Sequence, residues 1–175
     1  MHAAAYYQHL AQARTELWSF LESLPEDDLD RPLIEGERFR CIKDFLLHIT
    51  GVEDHWIHGT ARAATPVYAS GFEHDWRSPQ AENYRLFWIR DYSQAVERAS
   101  TSFVKGLSAS DLMHVVEVEG GGGPPHRFTV ETLLWHTMTH EVRHQAQVVL
   151  LTRQLGYQPP WLDYLRFAPG RSNLT

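Results

Sequence analysis

Cysteine is nearly absent from this chain of 175 residues, in which Cys41 stands alone. An internal disulfide is thereby excluded, as is any zinc site built from several thiolates, and a single thiol fits a reducing compartment. No run approaches the ~18 consecutive apolar residues of a membrane span. The opening stretch MHAAAYYQHLAQARTELW has no basic start followed by an apolar segment, so a cytoplasmic protein without a membrane partner is expected. Basic charge is also scarce. Sixteen Lys and Arg are scattered among twenty-two Asp and Glu, for a formal charge of -6, whereas a phosphate-backbone surface needs clustered cations. Small molecules are therefore expected as partners and nucleic acid is not. With 43% hydrophobic and 12% aromatic residues, and no internal repeat, residues 1–175 suit a single domain with its own core.

Hydrophobic periodicity predicts four helices. From Ala3 to Leu24 apolar residues recur at Tyr6, Leu10, Ala13, Leu17, Leu21 and Leu24, and Pro25 with the acidic PEDDLD ends the pattern. A second pattern runs through Ile42, Phe45, Leu46, Ile49, Val52 and Trp56, with Asp44 favouring its first turn, and should stop near Gly59. Residues 60–78 show no period and read as a long connection. A third helix is predicted to open at SPQAE, with Ser78 as cap and Pro79 first, and to run through Tyr84, Trp88, Tyr92, Ala95, Ala99 and Phe103. In HVVEVEGGGGPPHRFTV two β-branched runs flank a Gly-Pro turn, the pattern of a small hairpin. No Gly-Lys-Ser/Thr follows its glycines, so they read as a turn and not a phosphate loop. Thr129 can cap a fourth helix from Val130 to about Leu155, ended by Gly156. Four helices with little strand predict an all-α bundle.

Histidine is abundant, with eleven residues. The stretch HTMTHEVRHQAQ places His136, His140 and His144 four apart, offset by only about 40° around a helix axis. Leu133, Gln147 and Leu151 continue this stripe, which predicts that it faces the bundle interior. An unpartnered buried imidazole costs on the order of 1 to 3 kcal/mol. A metal would meet that need, as would a hydrogen-bond network or a water-filled groove. Two imidazoles at i and i+4 can aim at one point, but a metal needs a third ligand from elsewhere. The second helix offers His48, His55 and His58. His48 sits mid-helix among Phe45, Leu46, Ile49 and Val52 and is the best placed; His55 is expected at the surface and His58 nearer to solvent. His2, His9, His74, His114 and His126 fall in terminal or connecting segments and receive no role.

HEVRH also carries the letters of a zinc-peptidase signature. Such a site needs a downstream acid or a histidine six residues beyond its second, yet position 150 is Leu and no Glu follows Glu141; only Asp163 remains. Glu141 lies about 100° around the helix from His140, so a solvated or interhelical charge is its plainer reading.

The segments CIKDFLLHITGVEDHW and TLLWHTMTHEVRHQAQ resemble the DinB/YfiT-like superfamily of metalloenzymes, in order and over nearly the whole chain. The resemblance implies an up-down-down-up four-helix bundle and metal ligands at His48, His140 and His144, with His136 as a neighbour. The chain departs from the family in having Gln145 and Ala146 where Arg-Gly is frequent, and Cys41 where Ser or Thr often opens the second helix. Zinc or nickel is the divalent ion the resemblance implies, and some relatives transfer low-molecular-weight thiols such as bacillithiol or mycothiol. The leading expectation is therefore a metal-dependent enzyme that activates a thiol for S-transfer to a small electrophile. Metal-dependent hydrolysis comes second, and a non-catalytic, metal-stabilised ligand-binding bundle, with a homodimer compatible, third. Participation of His136, Glu141 or Gln147 is left open. Cys41, seven residues before His48, would lie about 10.5 Å away along a shared helix, too far to serve as the nucleophile.

Overall fold

The helical periodicities become the long helices of the computed structural model, which describes residues 3–36, 38–77, 79–120 and 123–167. In chain order these are α1 (Ala3–Leu21), the short α2 (Glu26–Asp30), α3 (Ile42–Glu53), α4 (Leu86–Gly106), the short α5 (Ala109–Leu112), α6 (Val130–Gln154) and the short α7 (Tyr164–Phe167). Between α5 and α6 lies the expected hairpin, β1 (Val115–Gly120) and β2 (Gly123–Thr129), antiparallel with Val115 opposite Thr129 and Val118 opposite His126. Helices α1, α3, α4 and α6 form the bundle. No helix among the described residues is long and apolar enough to cross a membrane.

Contacts along the helices give their directions. Arg14 meets Glu97, Trp18 meets Ser93 and Glu22 meets Arg90, so α1 and α4 are antiparallel. Tyr6 meets Trp135 and Arg14 meets Glu141, so α1 and α6 are parallel. His48 meets His144 while Trp56 meets His136, so α3 opposes α6. The bundle is up-down-down-up, and the connection from Arg62 to Arg85 makes the crossover between its two parallel central helices.

Local chemistry explains most boundaries. Thr129 caps α6, its hydroxyl accepting from the Thr132 amide at 3.2 Å, and Gly156 follows the helix with a left-handed φ of 89°. Asp44 reaches back to accept from the amides of Arg40 and Cys41 at 2.8 and 3.2 Å, the acidic half of a capping box. Two boundaries depart from expectation. PEDDLD not only ends α1 but forms α2, and Glu26 of that turn accepts from the Leu86 amide at 2.7 Å and from Lys43 Nζ at 3.1 Å. This long-range carboxylate cap fixes the start of α4 at Leu86, seven residues beyond Pro79, with a 3-10 turn at Ala81–Asn83 before it. Ser78, the expected cap, lies outside the described residues. The stripe that α4 buries is Ile89, Tyr92, Val96, Ser100 and Val104, with Trp88 and Phe103 flanking it, so the expected face is rotated.

The second helix ends at Ala61, close to the expected Gly59, but its last turns are not α-helical. After Glu53 it widens into a π-helix, Asp54–Ala61, and π segments commonly occur at functional sites. Asp54 anchors this segment: its carboxylate, fully buried, accepts from the amides of Val67 and Tyr68 and from the Tyr92 hydroxyl, each at 2.8 Å.

The apolar core is divided. One cluster gathers Leu17, Trp18, Leu47, Ile89 and Val148, and the other Ala3, Leu10, Ile57, Leu134 and Met138. Along α1, α3 and α6 the residues between these clusters are Arg14, Glu53 and Glu141, all buried. A polar layer thus crosses the bundle at the level of the histidines.

Candidate metal centre

All twelve residues of α3 are buried, so a polar side chain on this helix needs a partner. His48 finds two. Its Nδ1 meets the Trp76 carbonyl oxygen at 2.8 Å, which fixes the proton on Nδ1 and leaves a lone pair on Nε2. That Nε2 lies 3.2 Å from Nε2 of His140, which in turn lies 3.1 Å from Nε2 of His144. His144 is held like His48, its Nδ1 donating to Oε1 of Gln147. Two lone pairs therefore converge on His140, whose Nε2 can donate a proton to only one of them. Nδ1 of His140 is buried without a partner among the described residues.

These donors fit a cation. The ligand atoms of His48, His140 and His144 all lie within 4.8 Å of one another, and no other His, Cys, Asp or Glu among the described residues joins the group. With Zn–N bonds of ~2.0–2.1 Å, tetrahedral nitrogens stand roughly 3.3 Å apart, close to the two spacings seen. The electrostatics agree. Burial is the main cause that lowers the His140 pKa to about 3, with His144 and His48 adding to it. Burial likewise lowers His48 to about 4 against the opposing pull of the Trp76 carbonyl. His144 is lowered by burial and partly restored by Gln147. All three are neutral bases at pH 7, the form a metal requires.

Aromatic side chains enclose the triad. Phe39 packs 4.4 Å from the His48 ring, Phe45 lies 5.6 Å from His144, and Trp76 stacks on His55 at 5.0 Å and His48 at 6.1 Å. Trp76 reaches α3 because residue 51 is glycine: a Cβ there would stand 2.2 Å from Cβ of Trp76. One turn from His140, His136 is exposed and packs edge-on against Trp56 at 5.1 Å. Both line a pocket of about 170 Å³ with Phe128, Thr132 and Leu133. Cys41 is buried, and burial, reinforced by Asp44, pushes its thiol up to about 12.

Several expectations change. The stripe of His136, His140 and His144 is not the deepest face of α6: His136 is exposed and the other two are half-buried. The deepest face carries Leu134, Met138, Glu141, Gln145 and Val148. Polar residues occupy its centre, so a search for apolar spacing places the face one step too far round. His55 is half-buried against Trp76, and His58 is buried with Nε2 3.1 Å from Ser100 Oγ, away from solvent. The π turn, with more residues per turn, swings residues after Glu53 out of the phase an α-helix would give them. Glu141 is an interhelical charge. It accepts from Arg14 Nε at 2.9 Å and Nη2 at 2.7 Å, and from Gln145 at 2.7 Å. Arg14 also binds Glu53 at 2.6 Å, to which Tyr7 donates. Glu141 is thus committed to Arg14 and cannot act as the base of a peptidase. Trp76 and Arg14 escaped sequence reading, although a glycine inside a helical pattern is itself a sign of close packing.

No curated protein matches the chain. Solved structures do. A DinB-like protein from Bacillus subtilis is 12% identical, with 91% of this chain and 98% of that one covered at a TM-score of 0.64. A conserved protein from Enterococcus faecalis is 16% identical, with 87% and 96% covered at 0.65. YfiT from Bacillus subtilis, described as a probable metal-dependent hydrolase with an unusual four-helix bundle topology, is 15% identical, with 89% of each chain covered at 0.62. At these identities the likeness speaks to the fold. The family model for DinB matches residues 1–172, and the chain belongs to the DinB family.

Proposed function

We propose that the protein is a metal-dependent enzyme in which Nε2 of His48, His140 and His144 hold one divalent ion, zinc or nickel, and that it transfers a low-molecular-weight thiol to a small electrophile. The observation that carries this reading is the convergence of three neutral imidazole nitrogens with no fourth protein ligand among the described residues, beside a pocket lined by Trp56, Phe128 and His136. A closed structural site would supply four protein ligands. A divalent ion held by three supplies Lewis acidity that lowers the pKa of a thiol or water reaching it.

The chain's own residues do the rest. Trp76 and Gln147 fix the ring orientations of His48 and His144. Phe39, Phe45 and Trp76 restrict water around the triad. In the transfer the thiol proton passes to solvent, the sulfur bonds to the electrophilic carbon, and the leaving group departs with its bonding pair. Cys41, buried with a raised pKa, is no competing nucleophile.

Hydrolysis is the second reading, favoured by the description of YfiT as a probable metal-dependent hydrolase. It ranks lower because activating water draws on a general base, and the carboxylate nearest in sequence to the triad, Glu141, is committed to Arg14. The test is elemental analysis of untagged protein, then loss of small electrophiles with and without thiol and chelator. Thiol-dependent, chelator-sensitive loss supports transfer, thiol-independent loss supports hydrolysis, and a full metal site without turnover supports the non-catalytic bundle.

A further inference from the structure

The surface around the three histidines runs against the charge of the chain, which is -6. Three exposed arginines stand there. The Arg38 guanidinium lies 4.8 Å over the ring of Phe39, the residue packed on His48. That of Arg77 lies 4.9 Å over Trp76, which stacks on His48 and His55. Arg143 immediately precedes His144 on α6. Their field reaches the imidazoles: Arg38 lowers the proton affinity of His48, Arg77 that of His55, and Arg143 that of His136, His140 and His144.

None of the three has a carboxylate partner among the described residues, whereas seven other arginines are ion-paired. The acids nearby are engaged elsewhere. Asp75 accepts from the backbone amide of Arg77, Asp44 and Asp54 hold backbone amides, and Glu53 and Glu141 bind Arg14. Stacking on an aromatic ring orients a guanidinium and leaves its N–H edge free for the two oxygens of an anion.

We propose that Arg38, Arg77 and Arg143 form an anion-binding collar that recognises a carboxylate or phosphate on the small molecule reaching the three-histidine site. The collar rests on the proposed function only in placing that molecule there. It would select, among thiols of equal sulfur chemistry, those that carry negative charge.

Two measurements test the collar and the thiol reading separately. In the first, Arg Nε–H signals of metal-free protein are followed by NMR during titration with succinate or inorganic phosphate, at ionic strength matched with chloride. Saturable shifts that weaken by roughly tenfold or more in affinity in the R38Q/R77Q/R143Q variant are expected, and the two arms tell carboxylate from phosphate. Shifts that never saturate with either anion, or equal affinity in the variant, overturn the proposal. In the second, cobalt-loaded protein is titrated with mercaptosuccinate or 2-mercaptoethanol, read by sulfur-to-cobalt absorption. The dianionic thiol should bind about tenfold or more tightly, and lose that advantage in the variant; equal binding of the two thiols by the wild type overturns the collar. Saturable anion binding with no thiol absorption leaves the collar standing and removes the thiol reading. An unchanged melting temperature of the variant shows that it folds.

Discussion

His48 donates its Nδ1–H to the carbonyl oxygen of Trp76 at 2.8 Å, and Trp76 can lie there because Gly51, one turn along α3, has no Cβ for it to meet. A glycine within a buried helix thus sets the tautomer of a candidate metal ligand. Gly51→Ala should push the 76 region away from α3 and release His48. Alanine in a helix interior ordinarily gains about 1 kcal/mol over glycine, so a lower melting temperature would show that the contact outweighs propensity. Loss of a carbonyl that orients a histidine ligand typically weakens metal binding about 10- to 100-fold, and zinc titration against a chelating indicator measures it. Unchanged zinc affinity would remove Trp76 from the site.

The ligand assignment predicts a pattern among the histidines. His48→Ala, His140→Ala and His144→Ala should each lower metal stoichiometry sharply in protein purified without metal-affinity resin. His55→Ala, His58→Ala and His136→Ala should leave it near the wild-type value. Full occupancy in His48→Ala would sink the assignment.

Much of this arrangement could be read from the sequence, and what could not has physical causes. Helix existence followed from apolar spacing, and the hairpin and the Thr129 cap from local chemistry. The start of α4 did not, because Glu26 caps Leu86 from sixty residues away and outweighs the Ser78-Pro79 signal. The three histidines were legible as residues on two helices, since i, i+4 spacing has one geometric meaning. The orientation of α6 was not, because its buried face is centred on Glu141 and Gln145, which only Arg14 on another helix explains.

That ion-paired layer gives the third prediction. Arg14→Met leaves Glu53 and Glu141 buried together without their cation, and removing one partner of a buried ion pair costs about 3–5 kcal/mol. Denaturant unfolding should show a loss of that order at pH 7. The deficit should shrink as pH falls, because protonating either carboxylate relieves the repulsion; burial and the neighbouring acids Glu53 and Glu97 already raise the Glu141 pKa against Arg14. Glu141→Gln should leave metal content largely intact and reveal no lost peptidase activity. Metal-dependent peptide cleavage that vanishes in Glu141→Gln would restore the peptidase reading.

Acidification supplies a fourth test. Folded-state values of about 4 for His48 and about 3 for His140 lie below the ordinary histidine value of 6.5. The unfolded chain therefore binds more protons than the folded one in this window. The stabilisation that these neutral histidines give the metal-free protein is fully present above pH ~6.5 and is lost as pH drops through ~4 toward ~3. Added zinc should raise the melting temperature at pH 7.5 and keep much of that effect at pH 5, where His48 and His140 are still neutral in the folded state; protons compete for the same nitrogens only as pH falls toward ~4 and below. In His140→Ala the zinc-induced rise should disappear at both pH values. A rise of wild-type size in His140→Ala at either pH would contradict the three-histidine site.

The last prediction separates a thiol brought from solution from the protein's own. Cys41 is the only thiol in the chain and is buried at the start of α3, where Asp44 accepts from its backbone amide. Burial and the adjacent carboxylate push its thiol up to about 12, so the thiolate that attacks electrophiles is scarce at neutral pH. Cys41→Ser should therefore keep any transfer activity within a few-fold of wild type, provided the variant folds, which its melting temperature reports. His140→Ala should abolish transfer, and product should form only when a small thiol is supplied with the electrophile. Mass spectrometry of wild type treated with electrophile alone should show no adduct at Cys41. An adduct there, together with inactive but folded Cys41→Ser, would move the chemistry from the histidine triad to the cysteine. Thiol-dependent turnover that survives in Cys41→Ser and stops with chelator or His140→Ala would place it at the triad.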